Sequence, residues 1–230
     1  MRIARVASWL HKWLGLIVGV QVVFWFVSGL FFALAPIERV RSEHRIAAHE
    51  HRLELSGAPT PADIAALLPE HPQRLNYESD ATGASVAVAE FAERRPITID
   101  LATGQARGEL ARDHAVAIAR AHIGAELPVK SAALLTEASP EYRGALPAWR
   151  IAFEDREGLA VYVAVDTGRV MARRSDLWRV YDALWALHIM DWRDHENFNT
   201  GLLIVTTALA LVLAIAGVVL LPYRIALRKR

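Results

Sequence analysis

Apolar residues are unevenly spread along this chain. Two uninterrupted runs lie near its ends, residues 13–35 (WLGLIVGVQVVFWFVSGLFFALA) and residues 200–223 (TGLLIVTTALALVLAIAGVVLLPY), and neither holds a charged residue. Each exceeds the roughly 20 residues needed to cross a bilayer core. Each is also apolar all round rather than along one stripe, as a lipid-surrounded helix is. The pattern predicts two transmembrane helices, within residues 1–36 and 199–223.

Between them the pattern changes. Residues 37–56 (IERVRSEHRIAAHEHRLELS) lack Gly and Pro, so a helical stalk is predicted over 37–57, ended by the breaker run Gly57-Ala58-Pro59-Thr60-Pro61. Thr60 is placed to cap a short helix, PADIAALL. Strand-like stretches follow: RLNYESD, ASVAVAE and RPITIDLATG. A longer amphipathic helix, LARDHAVAIARAHIG, leads into VKSAALLTE, PAWRIAFED and LAVYVAVDTGRVMAR. Two units emerge, 58–108 and 109–175, which end alike. In each, a strand runs into a turn containing Asp and Thr-Gly (Asp100, Thr103-Gly104; Asp166, Thr167-Gly168), with glycine free to take a positive φ. Each unit reads as one helix on a small antiparallel sheet, an α+β arrangement. Residues 176–198 read as an amphipathic helix on the membrane surface, with Trp178, Trp185 and Trp192 at headgroup level.

Charge adds an orientation. All 25 acidic residues lie between positions 38 and 196. Of the 26 lysines and arginines, seven stand in the flanks (Arg2, Arg5, Lys12, Arg224, Arg228, Lys229, Arg230), which leaves 19 in the middle and a net charge of −6 there. Short basic flanks stay cytoplasmic. Both termini, including the basic tail 224–230, are therefore expected inside and residues 37–198 outside, which in a Gram-negative host means a bacterial inner membrane with the middle in the periplasm. Ala33-Leu34-Ala35 resembles a signal-peptidase site, but the apolar run is longer than a signal core and Pro36 follows at once, so an uncleaved anchor is expected. The chain has no cysteine, which excludes disulfides and thiolate metal sites.

The resemblance becomes specific at three places. The opening WLHKWLGLIVGVQVVFWFVSGL, with Leu-His-x-Trp-x-Gly-Leu, resembles the first helix of PepSY-associated transmembrane proteins. LPAWRIAFEDREGLAVYVAVDTGRV resembles the strand core of a PepSY domain, and LWALHIMDW resembles the second histidine motif of the family. The likeness spans Arg5 to Pro222. It departs from the family in helix number, since many members have four or more membrane helices and this chain has two.

Candidate chemistry centres on two histidines. His11 shares a helix face with Gly15, Val18, Val22 and Gly29, where small residues leave room for a flat ring. Among headgroups beside Trp9 and Trp13, the same residue is an ordinary interfacial histidine. His188 shares a face with Leu177, Tyr181 and Leu184, and reads either as a packing histidine or as a ligand. The family resemblance implies a haem role for both, because several larger relatives carry b-type haem and reduce ferric siderophores. Haem b held by His11 and His188 is thus the expected cofactor. With about 24 residues, roughly 36 Å, between His11 and the far end of its helix, the two should not share an iron unless the second segment re-enters the bilayer. A homo-oligomer or another membrane subunit would then supply the missing ligands.

Other groups are weaker. Gln21 and Ser28, with Trp25 between them, are expected to hydrogen-bond another helix. Thr206, Ala210, Ala214 and Gly217 form a small-residue stripe suited to close helix packing. His44, His49 and His51 alternate with Arg45 and Arg52 and read as a solvated helix, and His195 with Asp194 and Glu196 is similar, so no metal site and no catalytic residue is assigned. No Walker loop, dinucleotide fingerprint, zinc-protease motif or nucleophile elbow is present. Nothing points to nucleic acid. The leading function is a haem-assisted transmembrane electron-transfer or iron-uptake component. The alternative is a non-redox accessory, scaffolding or regulatory subunit whose PepSY domain binds a periplasmic protein or peptide.

Overall fold

A computed structural model describes residues 2–48 and 51–227. The chain order is α1 (Arg2–Leu34), α2 (Ile37–Val40), α3 (Pro61–Leu67), β1 (Arg74–Ser79), β2 (Ser85–Glu90), β3 (Ile97–Asp100), α4 (Arg112–Ile123), β4 (Val129–Leu135), β5 (Ala148–Phe153), β6 (Ala160–Ala164), β7 (Val170–Arg174), α5 (Asp176–Ile189) and α6 (Gly201–Leu227). It forms two units: residues 1–37 with 180–230, and residues 38–179.

The 38–179 unit is a tandem of one motif. Two antiparallel sheets, β1-β2-β3 and β4-β5-β6-β7, each follow a helix. Thr60 caps α3 as expected, in a reciprocal pair with Asp63: Asp63 N–H donates to Thr60 Oγ1 (3.2 Å) and Thr60 N–H to Asp63 Oδ2 (2.9 Å). Ile64 of α3 packs on Ala87, Ala89, Ile99 and Leu101. Ile118 and Ala119 of α4 pack on Ile151, Phe153, Val161 and Val163.

The two Thr-Gly turns are superposable in their hydrogen bonds. Gly104 N–H donates to Asp100 O (2.8 Å) and Gly168 N–H to Ala164 O (2.9 Å). Thr103 Oγ1 accepts from Gln105 N–H, as Thr167 Oγ1 does from Arg169 N–H. Both glycines have positive φ, 68° and 70°. The strand after the turn is complete as β7 in the second motif but shrinks to a single bridge, Ile99 to Ala106, in the first. The structural partner of Asp100 is therefore Ala164, so the shared feature is Thr-Gly rather than the aspartates.

Arg169, one residue past the second turn, ties the motifs together. It donates to both oxygens of Glu78 (2.7 and 2.8 Å) and to Glu90 (2.8 Å). The sheet face away from α4 carries Ala148, Ala152, Ala160 and Ala172, and these small residues let the β4–β5 loop lie over it. Tyr142 of that loop stacks on Tyr162 at 4.7 Å, and both rings are buried. Glu141 accepts from Arg179 Nε (2.8 Å) and from the Tyr162 hydroxyl (2.8 Å). The Arg179 guanidinium first, then Tyr162 and Arg150, hold the Glu141 carboxyl down at about 2 against the opposing effect of burial.

Residues 37–57 differ from the expected stalk. Among the described residues of this span only α2 and a three-residue 3-10 turn, Glu43–Arg45, are helical, and Ser42 between them has φ 55°. The second motif supplies the bonds a helix would have made: Ala47 N–H donates to His122 O (2.9 Å), and Arg45 bonds Asp155 (3.2 Å) and Glu157 (2.8 Å). Helix propensity is a weak prior that such contacts override.

In the other unit α1 and α6 are long and apolar enough to cross a membrane. They pack closely and antiparallel, with Ala7, Val18, Thr206 and Ala216 buried. The packed positions of α1, among them Ala7, Leu14, Val18, Trp25, Ser28 and Phe32, recur at a near-3.5-residue period. The expected stripe on α6 is only partly right, since Ala214 is exposed and Ala216 is the buried alanine.

Candidate functional site: two histidines on the membrane helices

His11 meets α6, not another part of α1. Its Nδ1 lies 3.1 Å from Leu213 O. A carbonyl only accepts, so Nδ1 carries the proton and Nε2 keeps its lone pair. The ring rests against Gly217, where an added β-carbon would stand 3.0 Å from Cε1. His11 and Gly15 share the α1 face that meets Leu213, as the periodicity predicts, but the small residue under the ring is Gly217 of α6.

His188 meets α1. Ser28 Oγ lies 2.6 Å from Phe24 O and 2.7 Å from His188 Nδ1. With the hydroxyl proton on the Phe24 carbonyl, the serine oxygen accepts from His188 Nδ1–H. Nε2 is again left with its lone pair. Phe32 stands edge-on to the imidazole at 5.5 Å and Trp185 lies parallel to it at 6.3 Å. Gln21 and Trp25 complete the contact: Gln21 Nε2 donates to Leu187 O (3.0 Å) and Trp25 Nε1 to His188 O (2.7 Å). Gln21, Trp25 and Ser28 thus bond another helix, as expected of polar groups in a membrane span. They satisfy carbonyls at the C-terminal end of α5, which have no partner inside their own helix.

The amphipathic pattern of residues 176–198 predicts a helix on the membrane surface to residue 198. Helix α5 ends at Ile189, and its Tyr181–Trp185–His188 face packs on Phe31, Phe32 and Ser28 of α1. The tryptophan row does not act together. Trp178 stacks under Arg174, Trp185 donates to His195 O, and Trp192 lies beyond the helix, exposed. The aromatic side chains of α1 claim the α5 face that was read as interfacial.

The two histidines are not brought together. Seventeen residues of α1 separate His11 from Ser28, roughly 25 Å. Each offers one nitrogen, and among the described residues neither Nε2 has a hydrogen-bond partner. A histidine fixed through one nitrogen with the other free is the arrangement of metal-ligating imidazole. His44 and His51 bond different elements, Glu157 (3.6 Å) and Ala81 O (3.1 Å), and His49 lies outside the described residues. Two features had no clear sequence signal: the His195–Asp182 pair (2.7 Å), and the Asp191 carboxylate, which collects four backbone N–H groups. Only the polar run DWRDHENFNT before α6 hinted at them.

A family model described as the PepSY-associated TM region matches residues 8–230. The chain belongs to that family. No curated protein and no solved structure matches it. This PepSY-associated membrane protein therefore combines two candidate membrane helices with a sheet-containing α+β region in a single family unit. Both histidine contacts fall inside the matched span.

Proposed function

We propose that this protein is a haem-assisted electron-transfer or iron-uptake component of a bacterial inner membrane, acting as an oligomer or with a second membrane subunit. The observation that supports it is the shared state of His11 and His188. Each is bonded through Nδ1 to a neighbouring helix, and its Nε2, the nitrogen that would bind iron, has no hydrogen-bond partner among the described residues. Bound haem b would supply one-electron chemistry. The protein's own part is to fix each imidazole's tautomer and direction and to surround His188 with Phe32 and Trp185. Because the two lie roughly 25 Å apart along α1, each site takes its second ligand from outside the chain. The basic flanks favour a cytoplasmic His11 end and a periplasmic His188 end.

The test is a visible spectrum of the detergent-purified protein, oxidised and dithionite-reduced. The expected result is a Soret band with sharp reduced α-bands, diminished in His11→Ala and in His188→Ala. A colourless protein from haem-replete cells overturns the reading.

One observation favours the alternative, an accessory or regulatory subunit that binds a periplasmic protein. β4 is an edge strand whose outer side makes no hydrogen bond among the described residues, with Leu134 47% exposed. Such an edge can accept an added strand from a partner. The same colourless result would favour this role.

A further inference from the structure

We propose that residues 180–200 form a re-entrant element, which enters the bilayer beside the Leu34 half of α1 and turns back inside the hydrocarbon. The argument is independent of haem.

It begins with register. His11 is level with Leu213. Gly201, twelve residues earlier on the antiparallel α6, is therefore level with about residue 23 of α1. Tyr181 meets Phe31 and Phe32, His188 meets Ser28, and Leu187 O meets Gln21. α5 thus descends α1 from Phe32 to Gln21, and the link to α6 lies at that lower level. Leu34 stands roughly 14–20 Å further out, counted from Trp25 and Gln21.

The uncharged lengths do not match. α1 is free of charge from Trp13 to its end and α6 from Gly201 to Tyr223. Only the stretch from Trp13 to about residue 23, roughly 15 Å, is uncharged on both helices at one level, against a core of about 30 Å. Some polar group must enter the bilayer. A membrane fitted to α6 alone buries Lys12 near its centre and leaves Phe26, Leu30 and Leu34 of α1 in water. A membrane that takes in the outer half of α1 admits the 190–200 segment instead.

That segment meets much of what the second case requires: among the described residues six of the ten backbone N–H groups of 191–200 are bonded within residues 186–199, while the side chains of Arg193, Asp194 and Glu196 are exposed. Irregular backbone is tolerated at membrane depth only when its polar groups are satisfied within the protein. Asp191 Oδ1 accepts from Arg193 and Asp194 N–H, and Oδ2 from Glu196 and Asn197 N–H (3.0–3.3 Å). Asp191 N–H returns to Ala186 O, Asn199 N–H to its neighbour Asn197 Oδ1, and His195 O accepts from Trp185. His195 pairs with Asp182, and Arg193, Asp194 and Glu196 are each engaged as well. The α5 carbonyls of residues 187 and 188 are met by Gln21 and Trp25 from α1 itself. Among the described residues the Lys12 ammonium meets only the ring of Trp13, at 5.5 Å, and it has a long stem that can reach toward headgroups.

The absence of native cysteine gives a clean test. Single cysteines at the exposed positions Trp192, Val23 and Leu34 carry a bimane label in the full chain. The protein is reconstituted into vesicles of phosphatidylethanolamine and phosphatidylglycerol bearing nitroxides at the headgroup or mid-chain, and monodisperse elution before reconstitution checks folding. The expected result is severalfold stronger quenching by mid-chain than by headgroup nitroxide at both Trp192 and Val23, with the reverse order at Leu34. Headgroup or aqueous depth at both Trp192 and Val23 overturns the proposal, because the outer part of α1 then stands clear of the bilayer. An aqueous Trp192 with a buried Val23 overturns it too, because the segment is then not docked in the membrane. None of these readings depends on whether haem is present.

Discussion

The ring of His11 lies tightly over Gly217: an added β-carbon would stand 3.0 Å from Cε1 and 3.3 Å from Nδ1. The ring is held there by Leu213 O, and His11 is otherwise exposed, so the ring can give by a few tenths of an ångström. Gly217→Ala is expected to shift the ring slightly and keep the bond. Gly217→Leu should expel the ring, release the Nδ1–H tautomer and cost about 1–3 kcal/mol of stability through overpacking. Imidazole 15N shifts of His11 report the tautomer. Unchanged shifts in Gly217→Leu would show that the glycine does not set the ring's position.

Trp25 and Gln21 act as caps for α5. Trp25→Phe keeps the ring but removes the donor to His188 O, and Gln21→Leu removes the donor to Leu187 O. Each leaves a carbonyl of a helix end unsatisfied, at about 1–3 kcal/mol. Unfolding in mixed detergent–SDS micelles measures the loss. A Trp25→Phe protein as stable as the parent would mean that water reaches that carbonyl.

Glu141 gives the extramembrane unit an acid limit. Its carboxyl is lowered from 4.5 to about 2, first by Arg179. A lowered acid contributes stability that is complete above its ordinary range and is lost as pH falls through its folded value. The α+β unit should therefore weaken between pH 4.5 and about 2. Glu141→Gln should flatten that slope and cost about 1.5–3 kcal/mol at pH 7, the worth of a hydrogen bond to a charged group. Chemical denaturation of both proteins across this range checks the sign.

The two Thr-Gly turns allow an internal comparison. Gly104→Ala and Gly168→Ala both place a side chain at positive φ, for about 1–2 kcal/mol. Among the described residues Gly104 has only Pro59 near, at 4.0 Å, whereas the new β-carbon at Gly168 would meet Ile118 Cδ1 at 3.2 Å in the α4 core. Gly168→Ala should be the more destabilising of the pair in thermal melts. The opposite order would show that the α4 core yields more easily than the first turn.

Arg169→Met tests the link between the motifs. It removes three charge-assisted bonds and leaves Glu78 and Glu90 facing each other without their shared cation. A loss of about 2–4 kcal/mol is expected, partly recovered in Arg169→Met with Glu78→Gln. Full additivity in the double variant would show that Arg169 and Glu78 are not coupled.

Several features were legible in the residues alone. The uncharged runs announced α1 and α6, because a membrane span is written as local composition. Thr60 announced its helix, because a cap needs only residues three apart. The Thr-Gly turns announced a repeat, because positive φ selects glycine wherever it occurs. His11 and His188 stood out as candidates, but their surroundings did not. Gly217 and Leu213 are more than 200 positions from His11, and no periodicity on α1 points to them.

Sequence by itself determined the two apolar helices, the doubled α+β motif and the histidines that carry the candidate chemistry, since composition, spacing and turn geometry are local properties. Tertiary structure decided the rest. It replaced the expected stalk with a strap bonded to His122 and Asp155, and it set α5 against α1 instead of along a surface. It also fixed which nitrogen of each imidazole is bound. Those outcomes depend on hydrogen-bond partners distant in the chain, and only folding brings such partners within bonding distance.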